Sequence, residues 1–341
     1  MRAKVGVRTK VGIVSFAHMH AHNYAAALGR LGGIAESVGI ADDDDSRGRA
    51  VAEQYEVPFI RDAGELLSVA DAVIVCTENK DHARFTVEAL DRGVHVLCEK
   101  PIATTIDDAL RMINAAQDSD AQLRVAFPVR YLSSIRQAKK AVETGMIGRV
   151  LAVNATNHGK MPDGWFLDLE AAGGGAVMDH TVHVADLLRW ILNTEVESVY
   201  AEIGATFGDG QVDDSAILTL ELANGVFATV DPSWSRGDGY PTWGDVTMQI
   251  TGTDGVIEVD AFAPSTNIYD HGTSANEWLT PGEDMDSLML EDFITGARNG
   301  SPAGATAVDG LRTLEVVLAA YRSSHTGQPE RVECNQEAEK A

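Results

Sequence analysis

The first 127 residues alternate short apolar runs with amphipathic stretches, a pattern that few folds can satisfy. The apolar runs are rich in Val and Ile and have the length of buried strands; they lie at 11–14, 35–40, 72–76, 94–98 and 123–127. Helical patterns lie between them at 23–31, 47–55, 82–91 and 106–117. This alternation predicts a doubly wound α/β domain, in which helices cover both faces of a parallel sheet. Ligands of such sheets bind at the carboxyl ends of the strands, where Ser15, Asp42, Thr77 and Glu99 lie.

After residue 127 the alternation gives way to a run of strand-like segments. Helical patterns at 135–144 and 176–192 lead into apolar alternating runs at 196–205, 215–222, 226–234, 246–251 and 256–259. Asn224 and Gly225 mark a hairpin turn between two of these runs. Helical patterns at 286–298 and 309–324 follow. We therefore predict two domains, 1–126 and 127–341, of which the second is an α+β domain with a large open, mainly antiparallel sheet.

The chain is strongly acidic. It has 51 Asp and Glu residues against 27 Lys and Arg, a formal net charge of −24, and only 8 of the basic residues are Lys. A surface of this sign repels phosphate backbones, which argues against a nucleic-acid partner. The charge also repels itself unless salt screens it, so we expect a protein adapted to concentrated salt, with simple solubility as the alternative explanation.

The cysteines and the apolar runs indicate the cellular compartment of the protein. Cys76, Cys98 and Cys334 are an odd number, and the first two fall in strand-like runs, as expected of reduced thiols. No apolar run approaches the roughly 20 residues that span a bilayer, and the first ten residues are too polar for a signal peptide. We expect a cytoplasmic protein without a membrane partner.

The turn after the first predicted strand has the position of a dinucleotide-binding loop but lacks its glycines. Ser15, Ala17 and His20 occupy the places where glycine lets the chain approach a pyrophosphate at a helix N-terminus. At the end of the second strand, Asp42 can accept the hydroxyls of an adenosine ribose and repels a 2′-phosphate. Helix capping is the alternative for this acidic run, at Asp44 or Asp45. The pattern favours NAD over NADP.

His18, His20 and His22 alternate in the same turn, as metal ligands on a strand would. A turn that enters a helix splays such side chains, and no Cys or carboxylate lies nearby to complete a ligand shell. We therefore predict no metal at these histidines, and a polar lining of the cofactor pocket instead.

Two further motifs carry groups suited to proton and hydride chemistry. Lys100, between Glu99 and Pro101 at the carboxyl end of the 94–98 strand, projects into the ligand crevice. Asp179 and His183 lie four residues apart at the start of a helix, where a carboxylate can orient an imidazole for proton transfer. A structural cap or surface pair is the alternative, but the preceding glycines at 173–175 favour close packing against a ligand or a facing sheet.

Together these motifs resemble those of the Gfo/Idh/MocA family of NAD(P)-dependent oxidoreductases, over residues 9–332. The strongest similarities are Cys98-Glu99-Lys100-Pro101, which matches the family's EKP motif, and the triple glycine followed by Asp179 and His183. Thr77-Glu78-Asn79-x-x-His82 is similar to the family's T-P-N-x-x-H, with Glu78 in place of Pro. Segments 251–255 and 309–324 are also similar to the family's.

The resemblance implies a Rossmann domain followed by an α+β domain whose open sheet commonly forms the subunit interface, hence a homodimer or homotetramer. It implies a sugar or cyclitol dehydrogenase in which Lys100 bridges the substrate hydroxyl and the nicotinamide, His183 accepts the hydroxyl proton, and Asp179 binds substrate or orients His183. The expected NAD contacts are Ser15, Phe16, Ala17, His18, Met19, Asp42, Asp43, Thr77, Glu78, Asn79, His82, Glu99, Lys100 and Arg130. The expected substrate contacts are Lys100, Arg130, His158, Trp165, Asp179, His183 and Tyr240, with Tyr131 as a further candidate.

Two other functions remain open at this point. The same family fold supports glycoside cleavage through transient oxidation, in which the nicotinamide is recycled and no net NADH appears. The second possible function is a non-catalytic dinucleotide-binding protein. The presence of Lys100, Asp179 and His183 argues against it, because such a protein needs none of them. Within the preferred function, the negative surface favours neutral polyols over sugar phosphates as substrates.

Overall fold

The computed structural model describes residues 8–208, 210–240, 242–262, 283–301 and 304–335, together with the backbone at 266–269 and 276–279. The strands are β1 Thr9–Val14, β2 Ala35–Ala41, β3 Ala72–Val75, β4 His95–Cys98, β5 Leu123–Val125, β6 Val150–Thr156, β7 Val196–Gly204, β8 Ser215–Leu222, β9 Phe227–Asp231, β10 Thr247–Gly252, β11 Val256–Asp260, β12 Thr266–Tyr269, β13 Asn276–Leu279, β14 Ala305–Thr306 and β15 Glu330–Arg331. The helices are α1 His20–Arg30, α2 Asp45–Gln54, α3 Ala63–Leu67, α4 His82–Leu90, α5 Ile106–Gln117, α6 Ser133–Glu143, α7 Leu169–Ala172, α8 Ala176–Leu192, α9 Met285–Asn299 and α10 Ala307–Thr326.

A six-stranded sheet forms the centre of the first of two units, which comprises residues 1–128, 284–311 and 336–341. Its strand order is β14-β5-β4-β3-β1-β2; β1 to β5 are parallel, and β14 is antiparallel to β5. All four residues of β3 are buried, as expected where helices cover both faces of a parallel sheet. The predicted doubly wound Rossmann fold is confirmed. Its topology brings the carboxyl ends of β1, β2, β3 and β4 to one edge of the sheet.

The extent of this unit differs from the predicted domain boundary. Its first segment ends within two residues of position 126, but residues 284–311 also belong to it. Helix α9 packs on α1, Arg30 pairs with Asp284 at 2.5 Å, and β14 adds a strand beside β5. Local periodicity predicts the helix at 286–298 but carries no information about which sheet it packs on.

The second unit, residues 129–283 and 312–335, contains a seven-stranded sheet in the order β11-β10-β6-β9-β8-β7-β15. Every neighbouring pair is antiparallel except β6 and β9, which confirms the predicted mainly antiparallel sheet. Helix α8 packs against β7, β8 and β9. The hairpin at Gly225 forms as predicted, with φ of 81° at the glycine. Strand β9 is shorter than the predicted 226–234 run because Pro232 has no N–H to donate to the ladder.

The described part of the chain contains no helix that is both long and apolar enough to cross a membrane. The three cysteines are free thiols, buried at Cys76 and Cys98 and exposed at Cys334. Burial raises the pKa of the Cys98 thiol far above its ordinary value and so keeps it protonated.

Candidate active site

The turn between β1 and α1 reproduces the backbone of a dinucleotide loop with other side chains. Ser15 has φ of 69°, the left-handed conformation that usually requires glycine. Its hydroxyl accepts the backbone N–H of Ala17 at 3.1 Å, and Nδ1 of His18 accepts the N–H of His20 at 3.2 Å. Helix α1 begins without a side-chain cap at Met19. Local hydrogen bonds from backbone N–H groups to the side chains of Ser15 and His18 thus support a conformation that glycine adopts freely.

The carboxylate of Asp42, at the end of β2, is buried beneath Arg47. Arg47 donates from Nε to Oδ2 at 2.9 Å and from Nη2 to Oδ1 at 2.6 Å, and the N–H of Phe16 donates to Oδ2 at 2.8 Å. The hydrogen bond to Asp42 raises the pKa of Arg47 above its ordinary value although burial opposes it. Asp43 is 79% exposed beside the same guanidinium, and Asp44 caps α2 as expected of this acidic run. Sequence reasoning missed the role of Arg47, five residues after Asp42.

Glu99 forms the centre of a buried hydrogen-bond network at the end of β4. Its Oε1 accepts from Nδ1 of His20 at 3.0 Å and from the hydroxyl of Tyr24, and its Oε2 accepts the backbone N–H of Lys100 at 2.9 Å. Burial alone raises the pKa of Glu99, but His18, His20 and Lys100 lower it well below its usual range. Burial lowers the pKa of His20, whereas Glu99 raises it, and the net shift is upward. The network therefore places the ring of His20 against the carboxylate of Glu99, directly beside Lys100.

This network corrects one step of the sequence reasoning about metals. A carboxylate does lie beside the histidines, because the carboxyl end of β4 lies at the same sheet edge as the β1–α1 turn. His18, His20 and Glu99 offer ligand atoms within 4.8 Å of one another, a donor set that suits a transition metal. Hydrogen bonds already engage Nδ1 of His18, Nδ1 of His20 and both oxygens of Glu99. The absence of a metal stays a prediction.

The segment after β3 contacts the loop that carries Lys100. Thr77 and Asn79 are buried, and the Thr77 hydroxyl donates to the carbonyl of Glu78 at 3.0 Å. His82, at the start of α4, donates from Nδ1 to the carbonyl of Pro101 at 2.8 Å, and burial lowers its pKa. A neutral His82 therefore holds the Lys100-Pro101 loop in place. These residues lie at the same sheet edge as Ser15 and Asp42, as predicted.

In the second unit, Asp179 and His183 both lie buried on α8, as their spacing predicted. Oδ2 of Asp179 accepts from Nε1 of Trp234 at 3.3 Å and lies 3.2 Å from Nε2 of His180. Sequence reasoning missed His180 and Trp234. Neighbours on a helix do not ordinarily face each other, and Trp234 comes from a different segment, so helical spacing carried no signal for either.

The triple glycine before α8 has a packing role. A Cβ on Gly175 would lie 1.8 Å from the carbonyl oxygen of Asp213, and one on Gly174 would lie 2.1 Å from the hydroxyl oxygen of Tyr321. Asp213 accepts the N–H groups of Gly175 and Val177 at 2.9 and 2.8 Å and so caps the helix. The glycines let Asp213 and Tyr321 approach the start of the helix that bears Asp179.

His158 lies in an ion cluster rather than alone. Its Nε2 contacts Asp231 at 3.1 Å and its Nδ1 contacts Asp245 at 3.0 Å, while Arg236 also pairs with Asp245. Hydrogen bonds to Asp231 and Asp245 raise the pKa of His158 to about 9. Arg236 lies over the ring of Tyr240, 4.4 Å from its centroid. The cluster brings together two of the predicted substrate residues, His158 and Tyr240.

The remaining predicted substrate residues already have protein partners. Arg130 pairs with Asp186, with Nε 2.6 Å from Oδ2, and lies over the ring of Trp190. Trp165 stacks on Phe166 with ring centroids 3.9 Å apart. Their contacts to cofactor or substrate stay predictions.

Comparisons with known proteins show which family the chain resembles. Residues 9–127 match an oxidoreductase family with an NAD-binding Rossmann fold, and residues 135–258 match the GFO/IDH/MocA C-terminal domain. The chain is 30% identical to 1,5-anhydro-D-fructose reductase of Ensifer adhaerens, over 77% of this chain and 80% of that protein. It is 28% identical to myo-inositol 2-dehydrogenase of Thermotoga maritima, over 87% and 94%.

Two solved structures have the same fold. GenD2 from gentamicin A biosynthesis, in complex with NAD, gives a TM-score of 0.88 at 23% identity and covers 97% of this chain and 98% of its own. Levoglucosan dehydrogenase, in complex with NADH and L-sorbose, gives 0.84 at 20% identity and covers 97% and 100%.

Proposed function

Since the chain belongs to the Gfo/Idh/MocA family of NAD-binding oxidoreductases, we propose that it transfers a hydride between NAD and a secondary alcohol or lactol of a sugar, cyclitol or related polyol. The match of both parts of the chain to the family models carries this proposal. We assign the chemistry to three buried residues, Lys100 at the end of β4 and Asp179 and His183 on α8. The names of the curated relatives, a 1,5-anhydro-D-fructose reductase and a myo-inositol 2-dehydrogenase, support the substrate class.

The residues of the first unit fit an NAD molecule. Ser15 supplies the left-handed turn, Ala17 is small enough for close backbone approach, and α1 presents an N-terminus without a side-chain cap. We assign the cofactor contacts to residues 15–19, 42, 43, 77–79, 82, 99, 100 and 130. When bound, NAD supplies the nicotinamide ring that accepts the hydride. Asp42 can accept a ribose hydroxyl where Arg47 gives up one of its hydrogen bonds to the carboxylate.

Lys100, Asp179 and His183 have complementary roles in this proposal. Lys100 donates a hydrogen bond to the carbinol oxygen and stabilises the negative charge that develops there as the O–H bond breaks. A ring nitrogen of His183 would accept the hydroxyl proton. The hydrogen on the carbinol carbon would leave with the electron pair of its bond, as a hydride to NAD, and the carbinol would become a carbonyl. Asp179 orients His183 or binds a second hydroxyl. Glu99 holds the backbone N–H of Lys100, while His20 compensates the charge of Glu99.

The test is NADH formation with purified protein, NAD and a panel of neutral polyols that includes myo-inositol and levoglucosan. We expect NADH with at least one member, and loss of turnover in His183→Ala with NAD affinity retained. Consumption of a glycoside without net NADH would favour the glycoside-cleaving alternative. Binding of NAD without turnover of any member of the panel would contradict the proposal and favour a dinucleotide-binding protein.

We also propose a homodimer or homotetramer through the outer face of the second sheet. Ile217 and Phe227 lie on the face of β8 and β9 that alternates with the buried one, and both are about half exposed. Exposed apolar residues on one face of a sheet are typical of an interface. Phe227→Glu should shift the sedimentation coefficient toward that of a monomer, whereas a wild-type monomer would contradict the proposal.

We also propose that the protein is cytoplasmic and adapted to concentrated salt. The three cysteines are free, as in reducing compartments. The charge of −24 needs screening by salt.

A further inference from the structure

His180 connects α8 to the segment that follows β9. Its ring is buried, with Nδ1 3.0 Å from the carbonyl oxygen of Pro232 and Nε2 3.2 Å from Oδ2 of Asp179. Trp234 donates to the same Oδ2 at 3.3 Å, and its ring meets that of His180 edge to face. Two ring nitrogens thus converge on one oxygen of Asp179.

The hydrogen-bond partners of His180 indicate how many protons its ring and the carboxyl group of Asp179 hold together. A carbonyl oxygen and an ionised carboxylate only accept hydrogen bonds, whereas a neutral imidazole has a single N–H. Since each nitrogen of His180 faces an acceptor, the pair formed with Asp179 holds one proton more than a neutral ring and an ionised carboxylate do. An imidazolium beside a carboxylate satisfies both contacts and leaves the buried pair with no net charge. A neutral ring that accepts from a protonated carboxyl satisfies them too, but it has a single ring proton.

Gly159 provides the space that this ring occupies. A Cβ at position 159 would lie 2.3 Å from Cε1 and 2.9 Å from Nε2 of His180. The backbone of Gly159 is held on both sides, because its N–H donates to the carbonyl of Ser233 at 3.1 Å and its carbonyl accepts from the N–H of Arg236 at 2.9 Å. A side chain at 159 would therefore displace the His180 ring from Asp179.

We infer that His180 is a positioning residue that holds Asp179 ionised and in one orientation for its work with His183. The inference rests on the proposed function, in which Asp179 and His183 form the acid–imidazole pair. Because His180 and Trp234 hold Oδ2, the direction of the second carboxylate oxygen is determined as well. An ionised carboxylate orients an imidazole N–H more strongly than a protonated one does.

The surroundings of the ring assign its charge partner. The segments that pack on it contribute Gly159, Pro232 and Trp234, which do not titrate. The charged side chains of the same segments, His158, Arg236, Asp231 and Asp245, contact one another. Asp179 is a charged group in direct contact with the ring of His180.

The first test does not depend on turnover. Long-range proton–nitrogen NMR spectra of protein labelled with ¹⁵N in the His rings report the protonation of each ring nitrogen, and His180→Gln assigns the signal. We expect both nitrogens of His180 to be protonated at neutral pH, and only Nδ1 in Asp179→Asn, whose amide can donate to Nε2. A wild-type His180 with a single ring proton at neutral pH would overturn the inference, whether or not any polyol is oxidised.

The second test uses the pH profile of NADH formation with myo-inositol. His180→Gln keeps an N–H near the position of Nε2 but has no charge, whereas His180→Asn keeps only the contact with Pro232. We expect His180→Gln to lower kcat about tenfold, with little change in KM, and to move the acid limb of the profile to higher pH because Asp179 is protonated more easily. The loss should be larger in His180→Asn and absent in the exposed control His325→Gln.

The two tests distinguish failure of this inference from failure of the proposed function. A uniform loss of kcat in His180→Gln with an unshifted profile would reduce His180 to a packing role and overturn the inference. If no polyol of the panel is oxidised, the proposed function fails, and the NMR result still decides the protonation of His180.

Discussion

Arg47 lies over Asp42 with two of its nitrogens 2.6 and 2.9 Å from the carboxylate oxygens, and the Asp42 side chain has no exposed surface. The side chains with exposed surface at the end of β2 are therefore the guanidinium of Arg47 and the carboxylate of Asp43. A bare carboxylate at this position repels a 2′-phosphate, whereas an arginine there accommodates one. Arg47 thus moderates the preference for NAD that the acidic run by itself would impose.

We expect Arg47→Ala to increase the affinity for NAD relative to that for NADP. Removal of the guanidinium leaves Asp42 and Asp43 uncompensated, so the affinity for NADP should fall by about tenfold, or ~1.4 kcal/mol, while the affinity for NAD changes little. Titration calorimetry with both cofactors measures the change. Arg49→Ala, on the same helix but stacked on Phe59, is the matched control. Equal losses for NAD and NADP in Arg47→Ala would show that Arg47 does not discriminate between them.

We expect Lys100 and His183 to act together in catalysis. Lys100→Ala and His183→Ala should each lower kcat by about 100-fold or more, the scale of positioned acid–base catalysis. The loss in the double variant should be well below the product of the single losses, because members of one catalytic unit are not additive. Steady-state rates with a polyol that gives turnover measure this. A double variant with near wild-type rates would mean that the active site lies elsewhere, with the His18 and His20 turn as the first place to look.

Because of the ion cluster of His158, we expect the free energy of unfolding to fall as the pH becomes alkaline. Because the pKa of His158 is raised to about 9, its stabilising contribution is complete below its ordinary value near 6.5 and is lost as the pH rises through 9. We expect His158→Gln to lower the free energy of unfolding by about 2 kcal/mol at pH ~6, and by much less at pH ~10. Urea unfolding at the two pH values measures the difference. A cost that does not change with pH would show that the charge of His158 contributes nothing.

Gly175 should not tolerate a side chain. A Cβ there would lie 1.8 Å from the carbonyl oxygen of Asp213, so Gly175→Ala must displace either that backbone or the start of α8. We expect a loss of about 2–4 kcal/mol in the free energy of unfolding, since the clash is with backbone. Gly237→Ala is the control, because a Cβ at that position meets nothing within 4 Å. Similar melting temperatures for the two variants would contradict the packing role of the glycine.

Salt should stabilise the protein. A charge of −24 repels itself in dilute buffer, and at 1 M salt the Debye length falls to about 3 Å. We expect the melting temperature to rise with KCl into the molar range. A melting temperature that is the same in dilute buffer and molar KCl would remove the argument for salt adaptation.

Local patterns predicted the elements and the residues that stand at their ends. Valine-rich runs separated by helices placed Glu99 and Lys100 at the end of a parallel strand, and the spacing of four residues placed Asp179 and His183 on one helix. These predictions hold because periodicity and strand ends depend on neighbouring residues alone. The same reasoning missed β6, although it begins with the apolar run at 150–153.

The sequence by itself determined the doubly wound sheet, the antiparallel sheet and the positions of Lys100, Asp179 and His183, because each follows from residues close together along the chain. Only the tertiary structure decided which groups these residues contact. Glu99 meets His20 across 79 positions, and His180 fits against Gly159 because two separate segments pack together. Such contacts depend on strand order and on how segments pack, and both arise from burial summed over the whole core rather than from local pattern. The protonation of the candidate site is therefore a property of the fold.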